Sequence, residues 1–198
     1  MIRGIAIFGH NGAGKSTLTH ALAKEIGCFE MDVEDYYFPE QRASRLHALE
    51  NRDERHKDPF EGLPFAHPRT KSEVQSKILE DMQAHPSFIL SGVTMNWCDE
   101  LLSHIDIAFW VQTPLEERLK RIQTREEKRF GARVLEGGDM FAQQMAFRHF
   151  VENRDQNAVE ESASRLVCPV IVMDGTLSWR HNLEIMMDAI KGEGKSFK

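Results

Sequence analysis

The sequence predicts a three-layer α/β fold, a five-stranded parallel sheet with helices on both faces. Three observations carry that prediction. Five short apolar runs recur between helical stretches, as in sheets whose parallel strands are joined by crossover helices. The first run leads straight into Gly9-His10-Asn11-Gly12-Ala13-Gly14-Lys15-Ser16, a complete Gly-x-x-x-x-Gly-Lys-Ser phosphate-binding loop, and a helical segment follows it. A length of 198 residues, 41% of them hydrophobic, suits one α/β domain with a substantial core.

Taken in order, residues 2–8 (Ile-Arg-Gly-Ile-Ala-Ile-Phe) read as a short buried strand. Residues 16–26 read as a helix, because Leu18, Ala21, Leu22 and Ile26 recur at helical spacing. Further strands are expected at 28–32, 87–91, 105–112 and 167–173, and further helices at 70–84, 114–129, 140–163 and 179–191. Pro114 is a good first residue for its helix, with Thr113 as the N-cap. Residues 38–69, rich in His, Arg, Asp and Pro, read as a loop-rich insertion within a single domain spanning 1–198, and residues 192–198 as a frayed tail. No internal repeat or low-complexity tract is visible.

Composition narrows the function classes. A charged fraction of 28% is ordinary for a soluble protein, and no segment has the apolar length of a membrane span. The first strand begins at once, which leaves no room for a signal peptide. Three widely spaced cysteines, Cys28, Cys98 and Cys168, fit neither a disulfide framework nor a zinc cluster, so reduced cytoplasm is the expected home. A net charge of -6 argues against a nucleic-acid binder, although Arg118, Lys120, Arg121, Arg125, Lys128, Arg129 and Arg133 form a local basic cluster. The expected partner is a small molecule, with no nucleic acid and no membrane, for a monomer or homodimer.

The loop explains its own residue types. A nucleoside triphosphate needs many donors converging on one small volume, and glycines let the backbone N–H groups turn inward. The helix that follows aims its positive end at the same anion. Lys15 would reach the β- and γ-phosphates, and Ser16 would take one position on Mg²⁺. Gly9, Asn11, Gly12, Ala13, Gly14, Lys15, Ser16 and Thr17 are therefore the expected nucleotide-binding residues.

In an open parallel sheet ligands gather at the carboxyl ends of the strands, here Asp32, Ser91, Gln112 and Asp174. Phosphoryl transfer needs a carboxylate to orient and deprotonate the acceptor hydroxyl and another to help hold the metal. Asp32, Glu34 and Asp35 lie where such groups belong. In an alternating extended stretch Asp32 and Glu34 point the same way, which assigns Asp32 to the metal and Glu34 to the base. A structural alternative makes all three a solvated turn with Asp35 capping a helix.

The segment Asp32-Val-Glu34-Asp35-Tyr36-Tyr37-Phe38-Pro39 resembles the Asp-Asp-Phe-Phe or Asp-Ser-Phe-Tyr segment of uridine kinases and nicotinamide riboside kinases, and Asp32-x-Glu34 is similar to the Asp-x-Asp of shikimate kinases. Trp110-Val-Gln-Thr-Pro-Leu-Glu-Glu-Arg118, with Arg121 and Arg125 beyond it, looks like the strand, proline-started helix and arginine-bearing lid of small P-loop kinases. Val172-Met-Asp174-Gly175-Thr176 is similar to the segment that packs beside the adenine in that superfamily. The resemblance implies a P-loop NTPase fold and an ATP- and Mg²⁺-dependent kinase acting on a hydroxyl of a small metabolite, a nucleoside or nucleotide-like compound.

The resemblance also implies site residues. Lys15, Asp32, Glu34, Arg125 and Arg129 would be catalytic, Arg121, Gly175 and Thr176 would join the loop in holding the nucleotide, and Ser16 and Asp32 would hold the metal. Asp35, Tyr36, Tyr37 and Arg69 would bind the acceptor, and residues 125–139 would form the lid. Two departures stand out. Ser91 occupies the place of the carboxylate that often ends the third strand, which shifts metal duty to Asp32 or to water, and Glu34 stands where the nucleoside kinases carry an aspartate.

Other residues have competing readings. Phe38, Phe60 and Trp97 could stack on a planar acceptor or simply be core. His47, His56 and His67 share one loop, but their spacing matches no zinc signature and Mg²⁺ prefers oxygen. Arg42 would join Arg69 if the acceptor carries a phosphate. The competing function is a nucleotide-driven switch or ATPase without a small-molecule acceptor. Against a GTPase, the chain has no Asn-Lys-x-Asp segment.

Overall fold

A computed structural model describes residues 2–50, 65 and 67–196. His56 and Phe60 lie outside the described residues. The strands are β1 (Gly4–Phe8), β2 (Phe29–Asp32), β3 (Phe88–Gly92), β4 (Ile107–Gln112) and β5 (Val170–Asp174). They form one all-parallel sheet in the order β2-β3-β1-β4-β5. The helices are α1 (Lys15–Ile26), α2 (Val33–Tyr37), α3 (Arg42–Glu50), α4 (Lys71–Ala84), α5 (Asp99–Leu102), α6 (Leu115–Phe130), α7 (Phe141–Asn153), α8 (Asn157–Ala163) and α9 (Trp179–Ser196).

Strand alternation divides the core. Ile5, Ile7, Ile89, Ile107 and Phe109 face Leu18, Leu22 and Met186 on α1 and α9. Ala6, Phe8, Leu90 and Ala108 face Val74, Ile78 and Met82 of α4, with Trp97, Leu101 and Val159 closing that layer. Both faces of the central strands are covered, as their uninterrupted apolar runs require. The expected sheet is therefore present, with its functional edge where the strands end.

Four local expectations are corrected. Residues 38–69 contain ordered helix: Pro39–Gln41 make a single 3₁₀ turn and α3 follows, because Ala43, Leu46, Ala48 and Leu49 with the flanking arginines favour helix despite the polar composition. The helix expected at 140–163 is two helices, broken where Arg154 turns extended (ψ 136°) and the Asp155 carboxylate accepts the Asn157 N–H at 2.9 Å. At α6 the N-cap is Pro114 itself, while the Thr113 hydroxyl donates to the Ala13 carbonyl at 3.3 Å. β5 starts at Val170 rather than 167, after Pro169, whose carbonyl accepts from the Ala108 N–H.

Among the described residues no helix is long and apolar enough to cross a membrane.

Candidate active site

The loop between β1 and α1 is shaped by its glycines. Gly12 adopts φ +80°, and a Cβ there would lie 2.6 Å from the Arg118 carbonyl oxygen, so no other residue fits without displacing α6. Gly14, at φ 101°, is the N-cap of α1 and brings no side chain to its first turn. That turn is the positive end of the helix, where an anion is favoured. Lys15 Nζ donates to the His10 carbonyl at 3.0 Å, folded back over the loop. Burial pushes the Lys15 ammonium down to about 8, against the opposing pull of Asp32 and Glu34.

The end of β2 meets this loop. Ser16 Oγ donates to Asp32 Oδ2 at 2.7 Å, and Asp32 Oδ1 accepts the Glu34 N–H at 3.0 Å. Asp32 is thus the N-cap of α2, and the extended alternation expected for 32–34 is replaced by a helix start. Glu34 still opens into the cleft, reachable by solvent but ringed by protein. Its carboxyl is raised above the usual range by that desolvation and by the charge of Asp32, with Arg125 and Arg129 acting in the opposite sense. Glu34, raised in this way, is suited to taking a proton, while Asp32 beside it stands against the Ser16 hydroxyl, where a ligand to a cation belongs.

Ser91 pairs in register with Asp32 on the neighbouring strand, 1% exposed, and its hydroxyl has no hydrogen-bond partner among the described residues. The Ser16 and Asp32 oxygens are hard donors of the type Mg²⁺ takes alongside phosphate oxygens. The unpartnered Ser91 hydroxyl, in register with Asp32, is a further oxygen donor at this strand end.

Helix α6 brings arginines to the other wall. Arg125 lies within electrostatic reach of Glu34, Asp32 and Lys15, and its Nε donates to Glu126 at 2.7 Å. Arg129 Nη2 donates to Gln41 Oε1 at 2.8 Å and stacks over Phe65 and Phe130. The segment after it, Gly131–Val134, has its own small core of Phe130, Val134 and Met140 against Phe65. Arg121 pairs with Glu117 and donates to the Gly175 carbonyl at 2.9 Å, tying α6 to the end of β5. Thr176 turns back on Asp174, its N–H and hydroxyl both donating to Oδ1.

Two arginines that the sequence did not single out as ligands hold the loop from outside. Arg118 is 2% exposed and donates to the carbonyls of Thr113 and Asn11 and to Gln156 Oε1, so it is a buried strut rather than part of a solvated face. Arg154, at the break between α7 and α8, donates to Asn11 Oδ1 at 3.2 Å and depresses both Lys15 and His10. The only sequence signal for it was the run Asn153-Arg154-Asp155, a poor continuation of a helix.

Of the expected acceptor residues, Tyr37 packs in an apolar layer, while Asp35, Tyr36 and Arg69 come together. Asp35 is locked by Arg45, whose Nε and Nη2 take both carboxylate oxygens. Tyr36 is core, its hydroxyl donating to Asp81. Tyr37 and Trp97 pack in the same apolar layer. Arg69 donates to the Tyr36 carbonyl at 3.2 Å. Asp35, Tyr36, Arg42 and Arg69 line a cavity of about 220 Å³ with Lys77, Glu80 and Asp81 of α4. His47 and His67 are exposed.

A family model described as an AAA domain matches residues 5–144, well over half of the chain. The chain belongs to that AAA domain family. The match runs from β1 to the end of the first turn of α7 and so includes the loop, Asp32, Glu34 and α6. The uncharacterized protein YqaC of Bacillus subtilis (strain 168) is 28% identical over 198 residues, covering 95% of this chain and 97% of its own. Among solved structures, the deoxyadenosine kinase from M. mycoides superposes with a TM-score of 0.56 at 16% identity, covering 96% of this chain and 99% of that one. The shikimate kinase from Acinetobacter baumannii, solved with shikimate, gives 0.53 at 16% identity over 98% and 95% of the two chains. The fold of this AAA domain is that of the nucleoside and small-molecule kinase group with a P-loop.

Proposed function

We propose that the protein is an ATP- and Mg²⁺-dependent kinase, a single domain over 1–198, that transfers the γ-phosphoryl group to a hydroxyl of a small metabolite. The observation that carries this reading is the meeting of Ser16, Asp32, Glu34, Lys15 and Arg125 at one cleft, where Ser16 and Asp32 are in direct contact at 2.7 Å. A nucleoside or nucleotide-like acceptor is the class to try first, supported by the deoxyadenosine kinase likeness. The acceptor would enter beside the 38–69 insertion, under the 125–139 segment.

The chain's own groups account for the chemistry. The first-turn amides of α1 take the β- and γ-phosphates, and Lys15 leaves the His10 carbonyl to join them. Glu34, held protonatable by its surroundings, accepts the acceptor hydroxyl's proton as the new O–P bond forms. The bond between the γ-phosphorus and the β–γ bridging oxygen breaks, and ADP leaves with the electron pair. Arg125 from α6, near Glu34 and Asp32, and Arg154 from the turn after α7, on Asn11 of the loop, would offer planar donors to the equatorial oxygens. Ser16 and Asp32 would hold Mg²⁺, which supplies charge neutralisation on the β- and γ-oxygens.

The test is ADP formation with and without candidate acceptors: nucleosides, nucleotides, hydroxy acids and sugars. A kinase forms ADP in step with one acceptor. ADP formed at the same rate with no acceptor present would instead identify an ATPase or switch.

A further inference from the structure

Arg45 lies one turn into α3 and is buried, the residue being 9% exposed. It takes both oxygens of Asp35, donates to Glu30 Oε1 at 2.9 Å and stands 3.7 Å from Asp32 Oδ2. Glu30 is in turn 2.8 Å from His20 Nδ1 on α1. One guanidinium thus faces three carboxylates, two on β2 or its cap and one on α2. Such a cluster is a poor way to gain stability, because desolvating four charges costs about what their attraction returns, and apolar residues of equal volume commonly do as well. What it does offer is fixed geometry. Asp32 is framed on three sides, by the Ser16 hydroxyl, the Glu34 N–H and the Arg45 charge.

We propose that Arg45 is a positioning residue for the metal-dependent step: gripping Asp35 and Glu30, it fixes the join of β2 to α2 and holds Asp32 with Oδ2 on the Ser16 hydroxyl. This rests on the kinase reading, and it assigns a role to a residue outside the phosphate loop and the lid. The guanidinium fork matters, since one planar group must satisfy Asp35 in two places and Glu30 in a third. A lysine carries the charge without that reach.

The experiment is calorimetric titration of ATP into wild type, R45M, R45K and the double variant D35L/R45M, once with saturating magnesium and once with chelator, beside thermal unfolding of each. Wild type binds ATP more tightly with magnesium, and the ratio of the two affinities is the magnesium advantage. In R45M that advantage falls by about tenfold or more, as for other partners that orient a metal ligand, while the chelator affinity changes little. R45K recovers only part of it. D35L/R45M, with the carboxylate that Arg45 gripped at both oxygens also removed, recovers thermal stability but not the magnesium advantage, which a purely structural role cannot explain. A wild-type magnesium advantage in R45M, or its return together with stability in the double variant, overturns the proposal; should R45M fail to fold, the double variant and R45K decide it. No magnesium advantage in wild type overturns the kinase reading itself, and this inference with it, and that failure is recognised by appearing before any substitution.

Discussion

Raising the pH should weaken nucleotide binding through one group, Lys15. Its ordinary value is 10.5, and burial in the loop pushes it down to about 8. The sign follows from the ligand's charge. Below pH 8 the ammonium is present and attracts the triphosphate; above it the free protein holds a neutral amine that must take up a proton to bind. The apparent dissociation constant then grows as one plus ten to the power of pH minus 8, which gives a loss of roughly 30-fold, or ~2 kcal/mol, between about pH 7 and about pH 9.5. Calorimetry of ATP with magnesium at those two pH values, in buffers of differing ionisation enthalpy, reads both the affinity and the proton taken up. K15A supplies the control, with weak and pH-independent binding. Affinities within about threefold of each other, or no proton uptake at the higher pH, would refute an ammonium held near 8, since a lysine at its ordinary value stays charged throughout.

Four further outcomes are expected. K15M should unfold at higher temperature than wild type near neutral pH, by roughly 2 kcal/mol after discounting for partial exposure, because the penalty of a charged buried Lys15 is present below pH 8 and fades as pH rises toward 10.5. E34Q should lose ~10²- to 10⁴-fold in the rate of transfer while ATP affinity stays within about threefold, as measured by ADP formation and calorimetry. R154M removes the donor to Asn11 and should weaken ATP binding by about tenfold or more, with thermal stability read alongside to exclude unfolding. Limited proteolysis should cut between Arg129 and Gly138 more slowly with nucleotide bound; unchanged cutting would count against a closing lid.

The parts of this molecule that local physics determines were legible in its sequence. A phosphate-binding loop is written in contiguous residues whose glycines and lysine each answer one need, and the apolar runs of a doubly covered sheet stand out by composition. Helix α3 was less legible because its face is charged: Arg45 is buried only by virtue of Glu30 and Asp35, partners that no periodicity reveals. Reading Asp32 to Glu34 as extended hid the start of α2, which Asp32 caps and on which Asp35 meets Arg45 and Tyr36 meets Asp81. Arg154 and Gln41 reach the site across more than eighty residues of chain, to Asn11 and Arg129 respectively, and such pairings arise only once the sheet has set the elements side by side. Ser91 was visible as a departure from a carboxylate; that its hydroxyl lies orphaned beside Asp32 needed the register.

The central claim is that the γ-phosphoryl group of a nucleotide held by Lys15, Ser16 and Asp32 ends on a metabolite. ATP labelled in that group, incubated with the protein, magnesium and a small-molecule extract, tests it most directly. The label should appear in one new phosphate ester, in wild type and not in K15A; label found solely as inorganic phosphate, or left on ATP, would contradict it.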